Sequence, residues 1–179
     1  MLLKVSEELN LDASPDEVWR LLRDTPRLAA LLPGVESVTP LEEPAVEAYQ
    51  AKAGDKIGLF KVALNVEIRV AEAQQPSLLK ASLKGGDSIG LNRVTGSLKV
   101  TLSPAVSGTQ VRFEADIEIL GKLATLGAVP IRRRATEKFA EFGRNVEAQF
   151  APDLRAHPGP ESPTDVRAGL GTESIKDRR

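Results

Sequence analysis

From Val35 to Leu120 the apolar residues fall at every second position, in six runs broken by turn residues, and this constrains the fold more than any other feature of the chain. The runs cover 35–39, 45–53, 57–71, 77–84, 89–103 and 109–120. Glu43-Pro44, Gly54-Asp55, Gln75-Pro76, Gly85-Gly86-Asp87 and Ser107-Gly108 mark the turns between them. The last run is the most regular. Val111, Phe113, Ala115, Ile117 and Ile119 share one face, and Arg112, Glu114, Asp116 and Glu118 the other. Phe60, Val62, Leu64, Val66, Ile68 and Val70 make a second apolar row. Val94, Leu98, Val100 and Leu102 make a third, with Gly96 among them. Short turns and one polar face describe consecutive antiparallel strands. An earlier run, Leu3–Leu11, alternates in the same way except that Glu7 interrupts its apolar side, and it brings the strands to seven.

A sheet of this size buries its apolar face only by curling around something apolar. Ile131, Ala135, Phe139, Phe142, Val146 and Phe150 recur every three or four residues and predict one long helix over 123–150. Between the first strand and the rest, Ser14-Pro15-Asp16-Glu17 has the form of a helix start, with Ser14 as cap and Glu17 completing a capping box. That helix is expected to stop before Pro26, and a second short one to run over 27–32 and end at Pro33-Gly34. The fold class is therefore α+β: a curved seven-stranded antiparallel sheet around a long C-terminal helix, with two short helices after the first strand. Residues 1–152 read as one domain. Beyond Pro152 the sequence turns polar and rich in Pro and Gly, and 153–179 is expected to be a disordered tail.

Composition removes several functions. The 24 basic and 25 acidic residues leave a net charge of −1, which speaks against a nucleic-acid binder. Without cysteine there are no disulfides, iron–sulfur clusters or thiol nucleophiles. The sole histidine, His157, lies in the tail and forms neither a metal site nor a nucleophile–base pair. No catalytic residue and no metal site is expected. The N-terminus has no signal-peptide pattern and no run is long enough to span a membrane, so the expected location is the cytoplasm, with at most a peripheral contact at the inner membrane face.

Few residues invite chemistry. Tyr49 reads most simply as a ring packed on a strand. Glu7 on an apolar row either binds a polar group of a ligand or pairs with a lysine or the sheet edge. Gly85 to Gly90 lacks the lysine of a phosphate loop and reads as a hairpin turn or a flap over a cavity. Arg132-Arg133-Arg134 is either a solvated, acid-paired face or a contact for an anionic membrane or acidic partner. Small residues (Ala51, Ala53, Ala63, Ala81, Gly96, Ala115) interleave with large apolar ones, and aromatic residues are only 4%. A large sheet closed on one helix with so few bulky fillers has room for a cavity, the alternative being a close-packed core.

Three stretches together resemble the CoxG-like family of carbon monoxide dehydrogenase subunits, within the START-like, or SRPBCC (polyketide cyclase/Bet v 1-like), superfamily. They are Ser14–Trp19 continuing through Asp24–Ala29 to Leu32-Pro33-Gly34-Val35; Lys52-Ala53-Gly54 with Ile57-Gly58 and Phe60; and Gly121-Lys122-Leu123-Ala124-Thr125-Leu126-Gly127. The resemblance covers about residues 2–150 and implies a helix-grip fold with a hydrophobic-ligand cavity. On that basis Phe60, Val62, Leu64, Leu79, Leu83, Val94, Leu98, Phe113, Phe139 and Phe142 are expected to line the cavity. Leu32, Pro33, Gly34, Gly54, Gly85, Gly86, Gly121, Leu123 and Leu126 are expected at its mouth or at a partner or membrane contact. It further implies an accessory, non-catalytic role beside a molybdenum hydroxylase of the carbon monoxide dehydrogenase type, with a lipid- or quinone-like molecule as the bound partner and no other cofactor. A cyclase or hydratase on the same fold, which would draw on Glu7, Tyr49, Asn65 and Asn92, and a chaperone-like interaction module are the competing readings.

Overall fold

A computed structural model describes residues 1–152 of the 179-residue chain. The expected tail at 153–179, with His157, lies outside the described residues. Seven strands, β1 (Leu2–Leu11), β2 (Val35–Leu41), β3 (Ala48–Ile57), β4 (Phe60–Gln74), β5 (Leu78–Gly86), β6 (Asn92–Pro104) and β7 (Thr109–Gly121), form one sheet. Their order is β1-β7-β6-β5-β4-β3-β2, antiparallel throughout. Thus β1 and β2 are the two edges, and the short helices α1 (Pro15–Arg23) and α2 (Thr25–Ala30) carry the chain from one to the other. A 3-10 turn (Lys122–Leu126) leads into the long helix α3 (Ala128–Gln149), which crosses the concave face.

The local chemistry explains the elements. Ser14 Oγ accepts the Glu17 N–H at 3.3 Å, and Glu17 Oε2 accepts the Ser14 N–H at 2.8 Å, the reciprocal cap that starts α1. α1 ends at Arg23, before Pro26 as expected, but α2 already begins at Thr25, so Pro26 is not left between the two helices. It lies in the first turn of α2, where no N–H is required, and Asp24 caps that turn from the Arg27 N–H at 3.2 Å. The β3–β4 turn is not at Gly54-Asp55 but two residues wide at Gly58-Leu59, since Ile57 pairs with Phe60 and Gly58 supplies φ +60°. Gly127, at φ +86°, splits the expected helix into the 3-10 turn and α3.

The alternating rows bury as their period requires. Val100, Val111 and Phe113 are almost fully enclosed with Val18, Leu22 and Val146 in the larger core cluster, each such side chain contributing about 1.5–3 kcal/mol of transfer free energy. A smaller cluster of Leu3, Ile119, Leu123 and Ile131 closes the other end of the sheet. Ala63 departs from its expected place: it is exposed, on the face opposite Val62 and Leu64.

Candidate functional site

Between the two clusters α3 does not lie flat on the sheet. At Gly143 it comes so close that an added Cβ would sit 3.0 Å from Leu9 Cδ2 and 3.0 Å from Glu7 Cγ. Two turns earlier the facing residues are Ala135 on α3 and Ala115 on β7, and a cavity of about 320 Å³ opens. Its floor is the concave sheet: Val5, Ile68, Leu83, Leu98, Phe113, Ala115 and Ile117. Leu28, Ala29 and Leu32 of the α2 region close one side, and Ala135, Phe139 and Phe142 the top. Phe142 meets Phe113 edge-on at 5.0 Å and Phe139 at 5.7 Å, so three rings brace one another into an aromatic wall.

Two polar side chains reach this lining, Thr25 and Lys138. Lys138 Nζ donates to the Pro33 carbonyl at 2.9 Å and lies 3.3 Å from Asp55 Oδ1. Arg134 reinforces the same carboxylate, its Nη2 3.0 Å from Oδ1 and its Nε 3.1 Å from Oδ2. Partial burial pushes the Asp55 carboxyl up, but hydrogen bonds from Arg134 and the Lys56 amide and the charge of Lys138 outweigh it and hold it below the usual aspartate range. On the β2 side, the Gly54 N–H donates to the Gly34 carbonyl at 2.8 Å. Pro33, Gly34, Gly54, Asp55, Arg134 and Lys138 thus form one polar rim that ties α3 to the sheet edge.

The expected cavity residues are only partly gathered here. Leu83, Leu98, Phe113, Phe139 and Phe142 line the space, and Leu32 joins them from the expected mouth. Leu79 is in the larger core cluster. Phe60 and Val62 line a second cleft of about 190 Å³ at the far end, with Leu123 and Leu126. Leu64 and Val94 lie on the concave rows outside both spaces. Gly121 packs against Leu91 beside the second cleft, while Gly85 and Gly86 pass so close to Asn65 and Asn92 carbonyls that no Cβ fits. Ala115 was among the small residues expected to leave room, but the sequence reading missed Val5, Thr25, Leu28, Ala29, Ile68, Ile117, Ala135 and Lys138 as lining. For Ile68 and Ile117 the two-residue period was the available signal; for Lys138 there was none.

The residues set aside for catalysis are dispersed. Glu7 sits beneath Gly143, half-buried, with no lysine or hydrogen-bond partner among the described residues, so the expected pairing is not formed. Burial and the neighbouring Glu47 push the Tyr49 hydroxyl above its ordinary value, and it donates to Glu47 Oε1 at 2.9 Å, outside the cavity. Glu47 also takes Arg23 Nη2 at 2.6 Å. Asn92 braces the β5–β6 loop through Asp87 and the Leu123 N–H, and Asn65 lines an open groove with Gln50 and Arg69. Among the described residues no His, Asp or Glu group is arranged to hold a metal ion, and no helix is long and apolar enough to cross a membrane.

Solved structures with this architecture include a conserved protein from Geobacillus kaustophilus, at 23% identity and TM-score 0.69, covering 84% of this chain and 95% of that one. A START superfamily protein from Mycobacterium smegmatis aligns at 13% identity and TM-score 0.61, over 82% and 96% of the two chains. The Zhui aromatase/cyclase from Streptomyces sp. R1128 aligns at 15% identity and TM-score 0.56, over 83% and 93%. At these identities the likeness shows a shared Bet v 1/START-like fold. No curated protein sequence matches. The family model of CoxG, a carbon monoxide dehydrogenase subunit, matches residues 8–151.

Proposed function

The chain belongs to the CoxG family of carbon monoxide dehydrogenase subunits, and on that footing we propose that it is a non-catalytic accessory protein. Its apolar cavity holds a lipid- or quinone-like molecule, and it assists or recruits a molybdenum hydroxylase of the carbon monoxide dehydrogenase type, from the cytoplasm or the inner membrane face. The observation that carries this reading is the lining: apolar except for Thr25 and the Lys138 ammonium. Small-molecule sites are typically about 300–1,000 Å³, apolar, with a few polar groups that fix orientation. Lys138 has three donors and two acceptors in place, leaving one N–H for a carbonyl or carboxylate head. General acid–base chemistry draws on a histidine, carboxyl, tyrosine or lysine facing the cavity, and of these the lining holds only Lys138, whose ammonium is already engaged by the Pro33 carbonyl and Asp55. One lysine with no second acid–base group beside it in the lining favours holding over conversion, even though an aromatase/cyclase shares the fold.

The test is extraction of the purified protein with organic solvent and identification of any apolar molecule by mass spectrometry, followed by quinone or fatty-acid uptake by the emptied protein. One dominant species is expected, with uptake lost in Leu98→Trp, whose indole would fill the space. Neither copurified molecule nor uptake in the wild type would overturn the cavity reading and leave docking of the partner enzyme as the role.

A further inference from the structure

Large apolar side chains are exposed at the tips of three segments that converge at one end of the molecule. Leu59, 92% exposed, sits in the two-residue β3–β4 turn, where a glycine, asparagine or aspartate is the usual occupant. Ile89, 74% exposed, sits in the β5–β6 loop, and Val129, 80% exposed, opens α3. Phe60, Ile89, Leu91, Leu123 and Leu126 line one cleft there, so the tips are neighbours in space. Nothing in the fold requires them to be apolar, and an exposed patch of this kind marks a contact surface.

The charges around it are one-sided. Segments 56–61, 86–93 and 120–132 carry Lys56, Lys61, Arg93, Lys122 and Arg132, against Asp87 as their sole acid. None of these five cations makes an ion pair among the described residues, whereas Arg69, Arg112, Arg133 and Arg134 are all paired elsewhere on the molecule. The Asp87 carboxylate is turned inward onto the Leu91 N–H and the Asn92 amide. A chain of net charge −1 thus concentrates free positive charge at the end where its loops end in leucine, isoleucine and valine.

We propose that this tip is a docking surface for an anionic lipid bilayer. Protruding apolar tips on separate loops suit insertion among acyl chains better than the flat contact of a folded partner, and the ring of lysine and arginine suits anionic headgroups. The tip also lies at one end of a continuous apolar path. Leu123, Leu126 and Val62 of the cleft belong to the same cluster as Val5, Ile117 and Ala135, which line the large cavity. As a route by which a lipid enters, this rests on the cavity reading above; as a docking surface it does not.

The experiment is vesicle flotation of the full chain with neutral phosphatidylcholine vesicles and with vesicles containing phosphatidylglycerol, for wild type, Leu59→Asp/Val129→Asp and Lys56→Glu/Arg132→Glu, none of which lines the cleft or the cavity, and Leu98→Trp, with thermal melts to confirm folding. Wild type is expected to float with anionic vesicles, and each tip variant to bind at least about 10-fold more weakly. The tip variants should still take up a detergent-dispersed quinone, and Leu98→Trp should still float. A wild type that does not float, that binds neutral vesicles as well as anionic ones, or that binds no better than the folded tip variants would overturn the proposal. Flotation intact with quinone uptake absent in every variant would count against the cavity reading alone.

Discussion

A methyl group on Gly34 would lie 2.4 Å from the Gly54 carbonyl oxygen and 2.8 Å from Lys138 Nζ, on a backbone at φ +92°. The Leu-Pro-Gly stretch therefore has a physical reason at its glycine: no side chain fits where the β2 edge, β3 and the α3 lysine converge. Gly34→Ala is expected to destabilise the protein by about 2 kcal/mol or more, from strain and displaced contacts together. Gly58→Ala, also at positive φ but with open space around the position, should cost about 1 kcal/mol. Urea midpoints for the two variants check the difference. At this scale the sequence was readable where a residue type is forced by sterics, as at Gly34. It was silent where function depends on direction: Lys138 is one more charge on a helix until Pro33 and Asp55 are seen to turn its ammonium toward the cavity rim.

Between elements, Asp55 joins β3 to α3 through Arg134 and Lys138, and its carboxyl is held below the ordinary aspartate value. A depressed native value means the folded state favours the charged form. The stabilisation is complete above the unfolded value of about 3.9 and is lost as pH falls through the lower native one. Asp55→Asn is expected to cost about 2 kcal/mol at neutral pH, and the gap to wild type in urea titrations should close as pH falls below about 4. A gap that stays constant down to acid pH would show that charge is not what joins the two elements. The strands and their inward rows were legible because period two is a local signal. The turn assigned to Gly54-Asp55 was misplaced because both residues have non-local tasks, Gly54 against Gly34 and Asp55 against α3. Cavity residues were half legible for a related reason. Alternation tells which face a residue occupies, but not where along the row the helix lifts away, and that is set by Gly143 at one end and Ala135 at the other.

Over the whole molecule, the two core clusters lie at opposite ends of the sheet with the cavity between them. All seven strands and α3 fall within residues 1–152, and a fragment of that length is expected to fold with a melting temperature within about 2 °C of the full chain, since the core it needs is present. A melt lowered by several degrees would place part of the stabilising contact in 153–179. The sheet order has a temporal side as well. β1 pairs with β7 alone, Leu11 opposite Thr109 and Leu2 opposite Glu118. At about 5–20 residues per second of synthesis, β1 waits roughly 5–20 s before its partner is made. During that interval an apolar strand edge is open to other chains, so β1 is the strand of this sheet that stays unpaired longest as the chain is made.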